Sequence, residues 1–213
     1  MKLSGKVSSD LPLLVLALAE EAQSLDTGLP VLLTGMGKVN AACALAGILG
    51  RGPLPARIVN LGTAGALRPG LSGIHLVNTV IQHDLDTDVL RTLTGISVGR
   101  PITVAASGEG LMLATGDTFI ASAADRNRLA DRAHLVDMEG YALAAAASEA
   151  GVRIEIVKYV SDDTDESAAG SWRANVAKAA RSLADWAAQN LIDYGGTRRA
   201  PDTPRYPLVM QRR

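Results

Sequence analysis

The chain has a single cysteine, almost no net charge and no apolar run long enough to cross a bilayer, and each shortage removes a class of function. Cys43 has no partner for an internal disulfide. Its setting in AACALAG reads as a small buried hydrophobe rather than an exposed nucleophile, so nothing calls for an oxidising compartment. A formal net charge of -1 and a pI near 6.3 supply no global attraction for nucleic acid, whose binding rests on clustered Lys and Arg. The expected partner is a small molecule, not nucleic acid. A spanning helix needs about 18 or more consecutive apolar residues, and none are present. The apolar run near the start is brief, ends in Glu20-Glu21 and leads into more strand-like sequence, unlike a secretory signal. These features predict a cytoplasmic protein with no membrane partner.

Several chemical signatures are missing too. GxxxxGK[ST] is absent, because Val39 follows the Gly37-Lys38 pair. There is no GxSxG elbow for a Ser-His-Asp enzyme. Neither Ser161-Asp162-Asp163-Thr164-Asp165 nor His83-Asp84-Leu85-Asp86-Thr87-Asp88 has the order of an EF-hand or a metal-binding set, so no catalytic metal is expected.

What is present is an alternation. Of the 213 residues 47% are hydrophobic, enough for one sizeable core. Short runs rich in Val, Ile and Leu recur at 13–19, 30–35, 56–62, 75–81, 134–138 and 153–160. Nearly continuous apolar runs suit strands covered on both faces. Alanine-rich helical stretches follow Lys38, start at Ala123 and follow Gly140, and a longer one runs from about Ser171 to Ile192. In the last, Trp172, Val176, Ala179, Leu183 and Trp186 recur at three- and four-residue steps, giving one face to pack. The pattern predicts an α/β fold with a largely parallel central sheet. One domain is expected over 1–194, and 195–213, with five arginines and three prolines, reads as a flexible basic tail.

In open α/β sheets, ligands bind beyond the carboxyl ends of strands, so the residues that follow each apolar run are the candidates. Glu20-Glu21 follows the first run, as a general base or as charges favouring a helix dipole. Gly35-Met36-Gly37-Lys38 opens a helix, where glycine lets backbone approach a ligand. Gly62-Thr63-Ala64-Gly65 reads as a small-residue turn whose hydroxyl can hold a water. Glu139 stands where a strand gives way to a buried-looking helix, and an unpaired carboxylate there is costly, so it needs a polar partner. A ligand hydroxyl pair and a backbone cap are both open to it.

Taken in chain order, LALAEEAQSL, LTGMGKVNAA, VNLGTAGAL, QHDLDTD, TGDTFIAS, VDMEGYALA and VKYVSDDTDE resemble the nucleoside phosphorylase and nucleosidase superfamily, especially the 5'-methylthioadenosine/S-adenosylhomocysteine nucleosidases. The resemblance spans roughly Leu13 to Leu191, and VDMEG with VSDDTD is its most specific part. It implies a three-layer α/β sandwich around a mixed, partly barrel-like sheet, a homodimer, and no metal or organic cofactor. It implies hydrolysis of the N-glycosidic bond of a purine nucleoside such as 5'-methylthioadenosine or S-adenosylhomocysteine. Carried over by position, Asp162 is the general acid that protonates the purine at N7, with Ser161 orienting it. Glu21, with Glu20 one register away, positions or activates water near Thr63. Glu139 grips the ribose hydroxyls, Met138 packs on the sugar and Phe119 stacks on the base. Ile120 and Met36 complete the substrate-binding set.

The chain departs from that pattern in four places. Only Asp26 to Pro30 stands where the family has a long hairpin before the GxGK segment, and the segment after QHDLDTD is also short, near the pocket for the 5'-substituent. Lys158 replaces a common arginine and is read as a supporting residue. No arginine lies between Leu13 and Asp26, where phosphorylases place a phosphate ligand, and two glutamates there favour hydrolysis over phosphorolysis. A phosphate-dependent phosphorylase and a non-catalytic nucleoside-binding module are the alternatives.

Overall fold

The computed structural model describes residues 1–104, 110–163 and 168–191, without the side chains of 161–163 and 168–174. The tail expected at 195–213 lies outside the described residues, as does Trp172's side chain.

The strands are β1 (Lys2–Ser4), β2 (Leu13–Leu16), β3 (Val31–Leu33), β4 (Ile58–Ala66), β5 (Gly73–Gln82), β6 (Ile102–Thr103), β7 (Leu111–Thr115), β8 (Leu135–Asp137) and β9 (Ile154–Asp163). The helices are α1 (Ala19–Ala22), α2 (Lys38–Leu49), α3 (Thr87–Thr94), α4 (Ala123–Ala130), α5 (Gly140–Glu149) and α6 (Ala168–Leu191). Every apolar run singled out in the sequence is a strand, and each alanine-rich stretch is a helix.

The sheet runs β1-β3-β2-β4-β8-β7-β5-β6, and β9 pairs with both β4 and β5. The strands β4, β8, β7, β5 and β9 therefore close into a ring, which is the barrel-like part of the sheet. Parallel pairings join β2 to β3 and β4, β4 to β9, β5 to β7 and β7 to β8. The remaining pairings, including β4 with β8 and β5 with β9, are antiparallel. The sheet is mixed rather than largely parallel.

Alternation along the strands builds the three layers. Leu13 and Val15 of β2 enter one core with Ala44, Leu45, Leu143 and Ala147 of α2 and α5. Leu14 and Leu16 enter the opposite core with Ala179, Leu183 and Ala187 of α6. A strand apolar on both faces is thus explained by helices on both sides. A third cluster seats Leu129 of α4 against Ala114 and Val136.

Three expectations are corrected. Gly62-Thr63-Ala64-Gly65 is not a turn: β4 continues through it to Ala66, because the strand leaves β2 and goes on to pair with β8. Cys43 is exposed, since α2 buries Ala41, Ala44 and Leu45 and turns position 43 outward. Similarly, β9 does not stop at Val160 but runs to Asp163. It carries one residue more than β4 there, with Val160 opposite Ala64 and Asp162 opposite Gly65. An extra residue of this kind bends a strand and re-aims its neighbours, and such bulges are enriched beside active sites. Among the described residues no helix is long and apolar enough to cross a membrane.

Candidate active site

Most of the buried polar side chains, Glu21, Thr115, Asp137, Glu139 and Lys158, stand on α1, at the ends of β7 and β8, just before α5 and in the middle of β9. By strand alternation Lys158 shares a face with Ile156 and Val160, so its stem crosses an apolar core and its head needs a counter-charge. Asp137, at the end of β8, supplies it at 2.8 Å, with both side chains almost fully buried. The Asp137 carboxylate also accepts from Thr115 Oγ1 at 2.6 Å and from the Gly140 amide at 2.8 Å. Thr115 Oγ1 in turn accepts from the Tyr141 amide at 2.9 Å. A buried ion pair persists when its remaining lone pairs are filled in this way.

Glu21 is buried on α1 and reaches across to β4, where its Oε1 accepts from the Thr63 amide at 2.9 Å and from Thr63 Oγ1 at 3.0 Å. Its Oε2 accepts from the Leu18 amide at 3.2 Å, so the carboxylate both caps its own helix and faces the barrel. Glu20 is exposed. Of the two registers, only Glu21 enters the polar cluster. Gly62 opens the space between the two charges: a Cβ there would stand 3.3 Å from Lys158 Nζ and 3.4 Å from Glu21 Oε1.

Glu139 is also buried, and its Oε1 accepts from the Gly37 amide at 2.8 Å. The polar partner anticipated from sequence is therefore a backbone amide of another loop, not a cap on α5, which shows no side-chain cap bond. Gly37 offers this amide at φ 91, a conformation that other residues rarely adopt. Burial first, and then the Asp137 charge, push the Glu139 carboxyl up to about 7, against the pull of Lys158 and the Gly37 amide. Burial alone would push Lys158 down, but Asp137, Glu139 and Glu21 outweigh it and hold the ammonium above its ordinary value. One cation thus serves three buried carboxylates.

The other anticipated residues are placed around this cluster. Thr63 and Met138 are half-buried, and Ile120 is buried. Phe119 and Met36 stand 54% and 55% exposed, each on a loop beyond a strand end. Ser161 and Asp162 are placed by backbone register only, three and four residues beyond Lys158 on β9, and their side chains lie outside the described residues. Asp137 was not singled out from sequence, although an aspartate closing the apolar run HLVDM carried the same signal as the lysine inside IVKYV. Among the described residues no group of three or more His, Cys, Asp or Glu is gathered to hold a metal ion.

A separate apolar groove of ≈ 890 Å³ runs along α2 and α5, lined by Val39, Ala42, Ala46, Leu49, Ala145 and Ala146 among others. It holds none of Glu21, Glu139, Asp137 and Lys158, so volume and chemistry point to different places. Its lining is mainly apolar, with Lys38, Gln82, Tyr141 and Glu149 as the polar side chains along it.

Residues 109–192 match the family model of the phosphorylase superfamily. The chain is 32% identical over 197 residues to a futalosine hydrolase of Thermus thermophilus, covering 82% of this chain and 86% of that protein. Among solved structures, a mutant of the Helicobacter pylori 5'-methylthioadenosine nucleosidase with 5'-methylthioadenosine in its active site superposes with a TM-score of 0.75. It is 20% identical, and the match covers 86% of this chain and 98% of that one. The native futalosine hydrolase of the same organism gives a TM-score of 0.73 at 19% identity, over 86% and 98% of the two chains. Both share the mixed α/β fold with its closed sheet.

Proposed function

The chain belongs to the phosphorylase superfamily, and on that premise we propose that it is a nucleosidase, an enzyme that hydrolyses the N-glycosidic bond of a purine nucleoside to free base and ribose moiety. The observation that carries this reading is the pairing of buried Glu21 with both donors of Thr63, beside Lys158 and Glu139 and at the bulged end of β9. Glycosidic cleavage passes through an oxocarbenium-like sugar, with the base protonated on one side while water approaches the other face. In this reading Asp162 gives its proton to purine N7, and Ser161 orients it. Glu21 and Thr63 hold the attacking water. Glu139 accepts the ribose hydroxyls, Met138 packs on the sugar and Phe119 stacks on the base, with Ile120 and Met36 lining the pocket. Lys158 keeps the carboxylates fixed without touching the base.

Water rather than phosphate is the co-substrate because the place for an incoming nucleophile is lined by Glu21, and no arginine lies between Leu13 and Asp26 to offset a second anion. Futalosine is the first substrate to test, since the relative named for it is 32% identical over most of both chains. Methylthioadenosine and S-adenosylhomocysteine are the second class, supported by the sequence motifs. A homodimer formed through the apolar α2 and α5 groove, where Val39 stands 71% exposed, belongs to the same proposal, as does a cytoplasmic location. The test is a panel of futalosine, methylthioadenosine, S-adenosylhomocysteine, adenosine and inosine in phosphate-free buffer, scored for free base. Release from at least one supports the reading, and binding without turnover across the panel contradicts it.

A further inference from the structure

In two segments that stood out in the sequence, GMGK and HDLDTD, the charged side chains Lys38 and Asp84 have no part in the chemistry above, yet the fold joins them. Lys38 Nζ donates to Asp84 Oδ1 at 2.6 Å and to Gln82 Oε1 at 3.1 Å. The other Asp84 oxygen, Oδ2, accepts from the Asp117 amide at 2.9 Å. Asp117 Oδ1 accepts from the Lys38 amide at 2.7 Å, which closes the circuit. Three loops are tied by it: the one before α2, the one after β5 and the one after β7.

We propose that Lys38, Asp84 and Asp117 are positioning residues, a closed polar ring that sets the spacing between the base-side loop carrying Phe119 and the sugar-side carboxylate Glu139. The inference rests on the assignment of Phe119 to the base and Glu139 to the ribose. Each end of the ring lies one or two residues from a proposed substrate contact. The residue before Lys38 is Gly37, whose amide holds Glu139 Oε1 at 2.8 Å. Two residues beyond Asp117 is Phe119, 54% exposed and so not held in place by its own ring. Between β7 and α4 this loop has no regular pairing, and it is anchored by buried Ile120, by the Gly116 amide on Asp137 O at 3.1 Å, and by Asp117. The chemistry of Asp84 fits the task. Burial pushes its carboxyl up, but the Lys38 hydrogen bond, the Asp117 amide and the Lys38 charge outweigh it and hold the group ionised below the ordinary range. Both oxygens are committed, one to each loop, so the carboxylate acts as a bridge rather than as a surface ion pair.

A misplacement of about 1 Å at a substrate contact costs on the order of a hundredfold in rate when it reaches the reacting atoms, and less when it only loosens binding. Phe119 contacts the base in ground and transition state alike, so breaking the ring should act mainly on KM. Lys38→Met and Asp84→Ala are each expected to raise KM for the accepted nucleoside at least about tenfold while kcat changes less than about threefold. The double variant should be no worse than the poorer single one, because both break the same ring. Lys38→Arg, which restores a donor for Asp84, should return KM to within about threefold of the parent. Amide hydrogen exchange without ligand should quicken at 36–38 and 116–120 in Lys38→Met, a readout independent of turnover. KM within twofold of the parent in both single variants would overturn the inference. So would additive losses in the double variant, losses that merely follow the fraction of protein unfolded, or unchanged exchange in the two segments. A parent protein that cleaves no nucleoside defeats the functional reading instead, and the exchange measurement still decides whether the ring couples the loops.

Discussion

Replacing Glu139 with glutamine is expected to stabilise the folded protein at alkaline pH while weakening its hold on substrate. The carboxyl has an ordinary value of 4.5 and is pushed up to about 7 in the fold, with burial as the largest cause and the Asp137 charge as the next. A folded-state value above the unfolded one means that the folded protein binds the proton more tightly. The resulting stability is fully present below about pH 4.5 and is lost as pH rises through about 7. At about 1.4 kcal/mol per pH unit, the gap between the two values amounts to about 3 kcal/mol. That figure already includes the attraction of Lys158 for the ionised carboxylate. Glutamine can still accept the Gly37 amide, so the variant keeps that bond and loses only the titration. Urea unfolding of both proteins from pH 4 to pH 9 is the assay. The variant should match the parent at the acid end and exceed it by up to about 3 kcal/mol at the alkaline end, while its kcat/KM falls about 10- to 100-fold for want of a charged acceptor on the ribose. A stability difference that does not change with pH would refute the burial argument.

Glu21→Gln should lower kcat by about a hundredfold to ten-thousandfold with little change in KM, the range for losing a group that moves a proton in the transition state. Thr63→Val, which removes one of the two donors on Glu21, should fall between that variant and the parent in steady-state assays. Asp162→Asn should lower turnover far more than thermal stability, because an amide does not deliver a proton. Near-parental turnover would remove Asp162 from the acid role. Asp137→Ala leaves Lys158 buried without its ion-pair partner, with only Glu139 and Glu21 as nearby charges, and should cost about 3–5 kcal/mol in chemical denaturation. Asp137→Leu with Lys158→Met should recover part of that loss, because no ammonium is then buried without its ion-pair partner, and only part, because Glu21 and Glu139 lose their cation.

Much of the fold was legible because its strands are covered on both faces and so appear as unbroken apolar runs. What escaped was short, polar or dependent on distant pairing. β1 and β6 have three and two residues. α3 buries nothing, so no buried face marks it. The continuation of β4 through Gly62 to Gly65 looked like a turn because small residues usually mark one, whereas closure of the sheet gave those residues new partners on β8 and β9. The candidate site was legible at Glu21 and Glu139, where a carboxylate interrupts an apolar pattern. Their partners were not, because Thr63 lies 42 residues from Glu21 and Gly37 lies 102 from Glu139. For the same reason Lys158 was read only as a supporting residue: its counter-charge, Asp137, belongs to another strand, and local sequence does not pair them.

The central claim is that water, held by Glu21, is the nucleophile that takes the sugar. The most direct measurement is turnover of an accepted nucleoside in water enriched in oxygen-18, with inorganic phosphate present and the sugar product analysed by mass spectrometry. Hydrolysis predicts one labelled oxygen at the anomeric carbon and no sugar phosphate. Formation of an unlabelled ribose 1-phosphate derivative, with free base appearing only when phosphate is supplied, would contradict it.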